Sequence, residues 1–139
     1  MKPKIILMSH GQMAVEILAS AQMIVGDLAN ADVVSMDPED GLSGTQAKLD
    51  MILQANGDVP TLIFTDLKGG TPCNVAMMAM GIYPRLCVVS GLNLAMVIEA
   101  AVSPLENVDE LANYLTNIGQ QAIEKIDIPK IEDEEEFEE

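Results

Sequence analysis

KIILMSHG, residues 4–11, is a short apolar run that ends in the only histidine of the chain, His10. A continuous apolar run is typical of a strand that is buried on both faces, as in a parallel sheet. Similar runs occupy residues 32–36, 61–66 and 86–90, and segments with helical periodicity separate them. The sequence therefore predicts four parallel strands, the first of them over residues 4–9.

The segments between these runs predict helices. The first would end near Gly26, and its buried face would consist of Ala14, Ile17, Leu18, Ala21, Val25 and Leu28. A second helix is expected from Ser43 to Gln54. A third would have Thr71 as N-cap, Pro72 at its first position and Gly81 at its end. Two more are expected, a short one after residue 93 and a longer one from residue 105 or 107 to residue 125.

This alternation predicts an α/β fold: an open, doubly wound and mainly parallel sheet in the order 2-1-3-4, with helices on both faces. We expect it to form one domain, residues 1–125. Residues 126–131 alternate like a strand, but Pro129 restricts them to an edge, so they predict an edge strand or a dimer arm. Residues 132–139 are nearly all acidic and predict a disordered tail at a real chain end.

Composition narrows the classes of function. The net charge of −15 argues against nucleic-acid binding, and the apolar runs are too short for direct membrane insertion. Two cysteines without framework spacing favour a reducing, cytoplasmic location. Because only 3% of the residues are aromatic, the ten methionines are expected mainly as core filler, with a methionine-rich docking surface as the alternative.

His10 and Asp66 are the residues most able to do chemistry. Ligands of such sheets bind beyond the carboxyl ends of the strands, where the strand order reverses. In the order 2-1-3-4 that point lies between strands one and three, which end in His10 and Asp66. A carboxylate beside an imidazole fixes its tautomer and supports its attack on an electrophile. Each residue alone could be structural, but together they predict a phosphate-handling site.

The residues around this pair could hold an anion. Gly69 and Gly70 would bring backbone close to the site, and Thr71 and Asn74 begin a helix whose unpaired N–H groups attract a phosphate. Two residues at the ends of strands one and four complete the predicted phosphate-binding set, namely Gly11 and Ser90.

Three motifs carry a family resemblance: Ser9-His10-Gly11, TDLKGGTPCN at residues 65–74 and SGLNLAMVIE at residues 90–99. In this order they resemble the IIA component of the mannose family of the bacterial sugar phosphotransferase system, over roughly residues 1–125. The resemblance implies a phosphocarrier in which His10 takes a phosphoryl group from phospho-HPr. The group then passes to a histidine of the IIB component, which serves the membrane components IIC and IID.

The resemblance also implies details of the site. His10 would be phosphorylated on Nε2, Asp66 would hold Nδ1, and the loop with Thr71 would steady the phosphate. Some members have a hydroxyl residue directly after the aspartate, where this chain has Leu67. No metal or cofactor is implied. The resemblance does imply a homodimer, in which a C-terminal edge strand is added to the partner's sheet. The helix after Asn93 is a candidate interface.

Other functions fit the same fold less well. A receiver domain would phosphorylate Asp66. It needs an acidic pair after strand one, where this chain has Ser9-His10, and a lysine after the last strand, which this chain lacks. A flavodoxin-like domain would need aromatic residues at the site, and a thiol enzyme would have to use Cys73. A phosphocarrier subunit that feeds a dihydroxyacetone kinase is the alternative within the same fold. The sugar itself is not readable, because the carrier does not touch it.

Overall fold

Strands and helices alternate along the chain in a computed structural model that describes residues 1–129. The strands are β1 (Lys4–His10), β2 (Asp32–Met36), β3 (Thr61–Thr65) and β4 (Leu86–Ser90). The helices are α1 (Met13–Val25), a 3-10 turn (Gly26–Leu28), α2 (Gly41–Asn56), α3 (Thr71–Met80), α4 (Leu94–Val102) and α5 (Val108–Gln121). None of the helices in this range is long and apolar enough to span a bilayer.

The four strands form one parallel sheet in the order β2-β1-β3-β4, as the sequence predicted. His10 is in register with Met36 of β2, and Met8 is in register with Thr65 of β3. The strand order reverses between β1 and β3. The carboxyl ends of these two central strands therefore lie side by side, and this edge of the sheet carries the site.

Both faces of the sheet are covered. Leu7, Leu62 and Phe64 pack against α1, α4 and α5, whereas Ile6 and Ile63 pack against α2 and α3. All five side chains are fully buried, and each burial contributes about 1.5–3 kcal/mol. The two-sided burial explains why the strands read as continuous apolar runs rather than alternating ones.

Several predicted helix boundaries differ from the observed ones, among them the end of α5, which is Gln121 rather than residue 125. The N-cap of α3 is Gly70 rather than Thr71, and Pro72 is the second helical residue; either first-turn position suits a residue without an N–H. Helix α2 is two residues longer at each end than predicted. Leu28 falls in the 3-10 turn after α1 and is 64% exposed, so its predicted place in the core was wrong.

Most methionines are not core filler, contrary to the prediction. Only Met8 and Met96 belong to the buried core. The sheet and helices already fill the interior with leucine, isoleucine, valine and alanine. Seven methionines are exposed: Met1, Met13, Met23, Met51, Met77, Met78 and Met80.

Within residues 1–129 the predicted C-terminal strand is not formed. Residues 123–129 have no regular secondary structure, so the described part of the predicted edge strand, residues 126–129, is unpaired. A strand needs a sheet edge as hydrogen-bonding partner, and this segment leaves α5 without returning to one. Residues 130 and 131 and the predicted acidic tail, residues 132–139, lie outside the described range.

Candidate functional site

His10 and Asp66 meet at the carboxyl edge of the sheet. His10 is the last residue of β1, and Asp66 follows β3 directly, with its N–H donating to the Met8 carbonyl at 3.1 Å. The side chain of His10 is 45% exposed, whereas that of Asp66 is only 9% exposed. A buried carboxylate therefore supports an imidazole that is open to solvent.

One carboxylate oxygen binds His10 twice. Oδ2 of Asp66 accepts the backbone N–H of His10 at 2.8 Å and lies 2.8 Å from the ring Nδ1. With Nδ1 as the donor, the ring is held in one tautomer and one orientation. The Nε2 lone pair is then free, which makes it the atom that can attack an electrophile.

The turn after β1 is fixed by its own hydrogen bonds. The buried Ser9 hydroxyl accepts the N–H of Ala14 at 2.8 Å, which ties the start of α1 to the strand. Gly11 has φ +56°, and its N–H donates to the Met36 carbonyl at 2.9 Å. The Gly11 N–H is thus already used within the fold. Sequence reasoning missed the role of Ser9, for which a hydroxyl residue just before a helix was the available signal.

The loop after Asp66 passes close to the imidazole at Gly70. Gly69 has φ +86°, a conformation that favours glycine, and the Gly70 N–H donates to the Leu67 carbonyl at 3.1 Å. Thr71 is the first residue of α3, where a backbone N–H has no acceptor within the helix. Asn74 turns its amide back on the loop and donates to the Gly69 carbonyl at 3.4 Å. The open N–H groups of this helix start can hold an anion.

Ser90 lies apart from this group. It is in register with Thr65, so β3 separates it from β1, and two strand spacings amount to about 10 Å. Its side chain lines a groove of about 190 Å³ together with Asn93 and Thr116. The structure thus brings Gly70 against His10, with Gly69 and Thr71 as its chain neighbours, and does not bring Ser90 into contact with His10.

Two buried oxygens have no hydrogen-bond partner within residues 1–129, Oδ1 of Asp66 and Oγ1 of Thr65. Buried polar atoms without a partner are rare and costly. Leu67, which is 60% exposed, offers the aspartate no hydroxyl donor.

An ion cluster borders the site on the β2 side and was not predicted. Nζ of Lys48 donates to Asp40 at 2.6 Å, to Asp37 at 3.2 Å and to the Ser35 carbonyl at 2.8 Å. The hydrogen bond with Asp40 raises the pKa of Lys48, and the same bond, followed by one from the Asp37 N–H, lowers the pKa of Asp40. The cluster fixes the turn between β2 and α2.

The cysteines do not form a reactive site. Cys73 is buried in the first turn of α3. Desolvation, and then a hydrogen bond to Asp109, raise the pKa of Cys87 to about 11, so it stays a thiol at neutral pH. Nowhere in the described part of the chain do three or more histidine, cysteine or acidic side chains gather in a way that could hold a metal.

A protein-family model described as "PTS system fructose IIA component" matches residues 4–128. Among curated proteins, the sorbose-specific EIIA component of Lacticaseibacillus casei is 29% identical over 119 residues, which is 85% of this chain and 86% of that protein. The fructose-specific EIIA component of Bacillus subtilis is 28% identical over 126 residues, covering 86% of this chain and 84% of that protein.

Solved structures give the same picture. A mannose/sorbose-specific IIA subunit of the phosphotransferase system from Enterococcus faecalis is 73% identical and superposes with a TM-score of 0.93, covering 94% of this chain and 99% of that one. An EIIA component from Streptococcus agalactiae, 29% identical, superposes with a TM-score of 0.80 over 88% of this chain and 95% of that one.

Proposed function

The chain belongs to the mannose-type family of IIA components of the sugar phosphotransferase system, and from this premise we propose that it is a cytoplasmic phosphocarrier. His10 accepts a phosphoryl group from phospho-HPr and passes it to a histidine of the IIB component during sugar uptake. The membrane components IIC and IID are served only indirectly, through IIB.

The geometry of His10 and Asp66 is the observation that carries the proposal. Asp66 occupies Nδ1 and the backbone N–H of His10, so Nε2 is the ring nitrogen left free for attack. A half-exposed imidazole with a buried carboxylate on its far nitrogen is suited to transfer between two protein partners, since each must reach the ring from outside.

The transfer balances without a cofactor. Nε2 attacks the phosphorus of the donor's phosphohistidine, the donor P–N bond breaks, and its electron pair returns to the donor imidazole. The His10 ring becomes cationic while Nδ1 keeps its proton, and the adjacent Asp66 carboxylate stabilises that charge. In the second half the IIB imidazole attacks the same phosphorus and His10 leaves as neutral imidazole.

Part of the predicted phosphate-binding set supports this role. The N–H groups at the start of α3 and the Thr71 hydroxyl follow directly after Gly70, which contacts the ring. Gly11 and Asn74 use their donors elsewhere, and Ser90 lies two strands away. We therefore assign phosphate binding to Gly69 and Thr71 first.

Exposed apolar side chains near the site suit protein docking. Met13, Leu42 and Leu67 are 43%, 47% and 60% exposed, and they follow the carboxyl ends of β1, β2 and β3. Apolar side chains on a polar edge are typical of the buried centre of a protein interface. HPr and IIB would use this edge in turn.

The names of the relatives favour sugar transport over the alternative, a carrier that feeds a dihydroxyacetone kinase. They are sorbose-, fructose- and mannose/sorbose-specific components. The two roles share the His10 chemistry and differ in the acceptor protein, so transfer to a purified IIB component distinguishes them.

We also propose a homodimer. Within the described residues no strand pairs with the outer edge of β4, and the segment after α5 exposes Ile123, Ile126 and Ile128 at 81%, 79% and 89%. A second strand from a partner copy would satisfy both. The cleft between α4 and α5, about 340 Å³ and lined by Ala95, Ile98, Ile118 and Ala122, extends the apolar surface.

The decisive experiment is phosphorylation in vitro. The chain is incubated with phosphoenolpyruvate, enzyme I and HPr, and the product is tested for phosphate that is acid-labile and base-stable. One phosphate per chain is expected, and added IIB should remove it. The variant His10→Ala should take up none, because no other histidine is present.

Ser90→Ala is the matched control, since it alters a polar residue of the same edge without touching His10, and it should be labelled normally. Label in the His10→Ala protein, or a wild-type chain that takes up none, would refute the proposed role.

A further inference from the structure

Gly70 lies against the imidazole of His10. A Cβ atom built on Gly70 would stand 2.8 Å from Cε1 and 3.5 Å from Nε2 of the ring, and 3.3 Å from the Leu67 carbonyl oxygen. Real Cβ atoms essentially never approach another heavy atom within 3.0 Å. The Cα of Gly70 therefore forms one wall of the space that the ring occupies, at Cε1, the carbon between Nε2 and the Nδ1 that contacts Asp66.

The backbone does not explain why this residue is a glycine. Gly70 has φ −77° and ψ 168°, an extended conformation that any residue adopts. Its neighbour Gly69 differs, because φ +86° there disfavours every side chain. The Gly70 N–H is committed to the Leu67 carbonyl, so it does not serve as an anion donor. What remains is the space that a side chain would take from His10.

From these contacts we infer that Gly70 is a positioning residue for the phosphoryl transfer: because it has no side chain, the His10 ring can occupy the position in which Nδ1 contacts Asp66. The inference rests on the proposed function and corrects the expectation that Gly70 binds phosphate directly. Any side chain at position 70 pushes Cε1 away, and the ring then rotates off Asp66. Nδ1 loses its acceptor, and Nε2 no longer points in a fixed direction.

The test is Gly70→Ala, measured in two ways. Phosphorylation by phospho-HPr should slow between about tenfold and about 100-fold, because small misplacements of a reacting atom cost that much. In the unphosphorylated protein, ring ¹⁵N NMR of His10 should show Nδ1 losing the chemical shift of a hydrogen-bonded N–H. The second readout does not depend on phosphate transfer.

Gly81→Ala is the matched control. It puts the same substitution at the other end of α3, where φ is −76° and the nearest neighbour of the new Cβ is the Met78 carbonyl at an ordinary 3.5 Å. Both the rate and the His10 ring signals of this variant should equal those of the wild type.

A double-variant comparison covers the case in which Gly70→Ala is itself less stable. The loss of melting temperature caused by Gly70→Ala should be smaller in a His10→Ala background, because the contact below 3.0 Å is with the ring and only the 3.3 Å contact with the Leu67 carbonyl remains. An equal loss in both backgrounds, or wild-type ring signals in Gly70→Ala, would overturn the inference. If wild-type protein takes up no phosphate while Gly70→Ala still changes the His10 ring signals, the proposed function is refuted and the positioning of the ring by Gly70 is supported.

Discussion

Asp66 contacts His10 through one oxygen, Oδ2. A substitution can therefore remove the negative charge of residue 66 and keep its hydrogen bonds to His10. Asparagine in its place can still turn an oxygen toward both N–H donors of His10. Its NH₂ group would then occupy the buried position of Oδ1, where no partner exists in residues 1–129. The substitution removes the negative charge and preserves most of the geometry.

We expect Asp66→Asn to slow phosphoryl transfer by about 10- to 1,000-fold, because the cationic ring of phosphorylated His10 loses its counter-charge. The measurement is the rate of label uptake from phospho-HPr, with melting temperature as a check on the fold. Asp37→Asn removes a carboxylate of the same edge that binds Lys48 instead, and it should leave the rate unchanged. Equal rates for Asp66→Asn and wild type would reduce Asp66 to a structural residue.

At this scale the sequence predicted that His10 and Asp66 lie together, but not the way the ring is held. His10 and Asp66 could be predicted because parallel strands end at a common edge. The positioning role of Gly70 could not be predicted, because it depends on where the loop passes relative to the His10 ring. The ion cluster of Lys48 was equally hidden, since Lys48 lies on α2 and its partners Ser35 and Asp40 lie on β2 and in the turn before the helix.

Helices α4 and α5 are coupled by the side chain of Asn93. Its Oδ1 caps α4 by accepting the Met96 N–H at 3.0 Å, while its Nδ2 donates to the Gly119 carbonyl at 3.2 Å. Gly119 allows the close approach, because a Cβ there would lie 2.7 Å from the sulfur of Met96. One asparagine thus serves two helices.

Asn93→Ala is expected to lower the free energy of unfolding by about 1.5–2.5 kcal/mol, as the cap and the second hydrogen bond are both lost. Asn107→Ala, which removes only the cap of α5, should cost about 1 kcal/mol. Urea denaturation of both variants gives the comparison. If the two losses are equal, the bond to Gly119 contributes nothing.

Helix boundaries show what local patterns can and cannot indicate. Gly26 and Gly81 end their helices as predicted, because glycine is a strong stop signal. The N-cap of α3 was predicted one residue too late, at Thr71 instead of Gly70, because residue type alone does not distinguish these two positions. The exposed methionines were misjudged because composition does not say which face of a helix a residue occupies.

The whole molecule has the predicted sheet order, but residues 123–129 after α5 form no strand. Four parallel strands could be inferred because each is buried on both faces and reads as an apolar run. The segment after α5 could not be placed from the sequence, since its partner strand is not in the same chain under the dimer proposal.

Removing residues 122–139 should convert the proposed dimer into a monomer, because the unpaired edge of β4 then has no strand to bind. Light scattering coupled to size-exclusion chromatography measures the mass. Removing only residues 132–139 is the control and should leave a dimer. A monomeric full-length chain, or a dimer after the longer deletion, contradicts the arm.

Under the proposed function both partner proteins must use the same ring nitrogen of His10, Nε2, and this limits how often the carrier can turn over. A donor and an acceptor protein cannot both reach one atom at the same moment, so each cycle consists of two encounters separated by a departure. A donor protein that dissociates slowly after transferring its phosphoryl group prevents the acceptor protein from reaching His10. The flux through such a carrier is then set by dissociation, and tighter binding of either partner makes the relay slower.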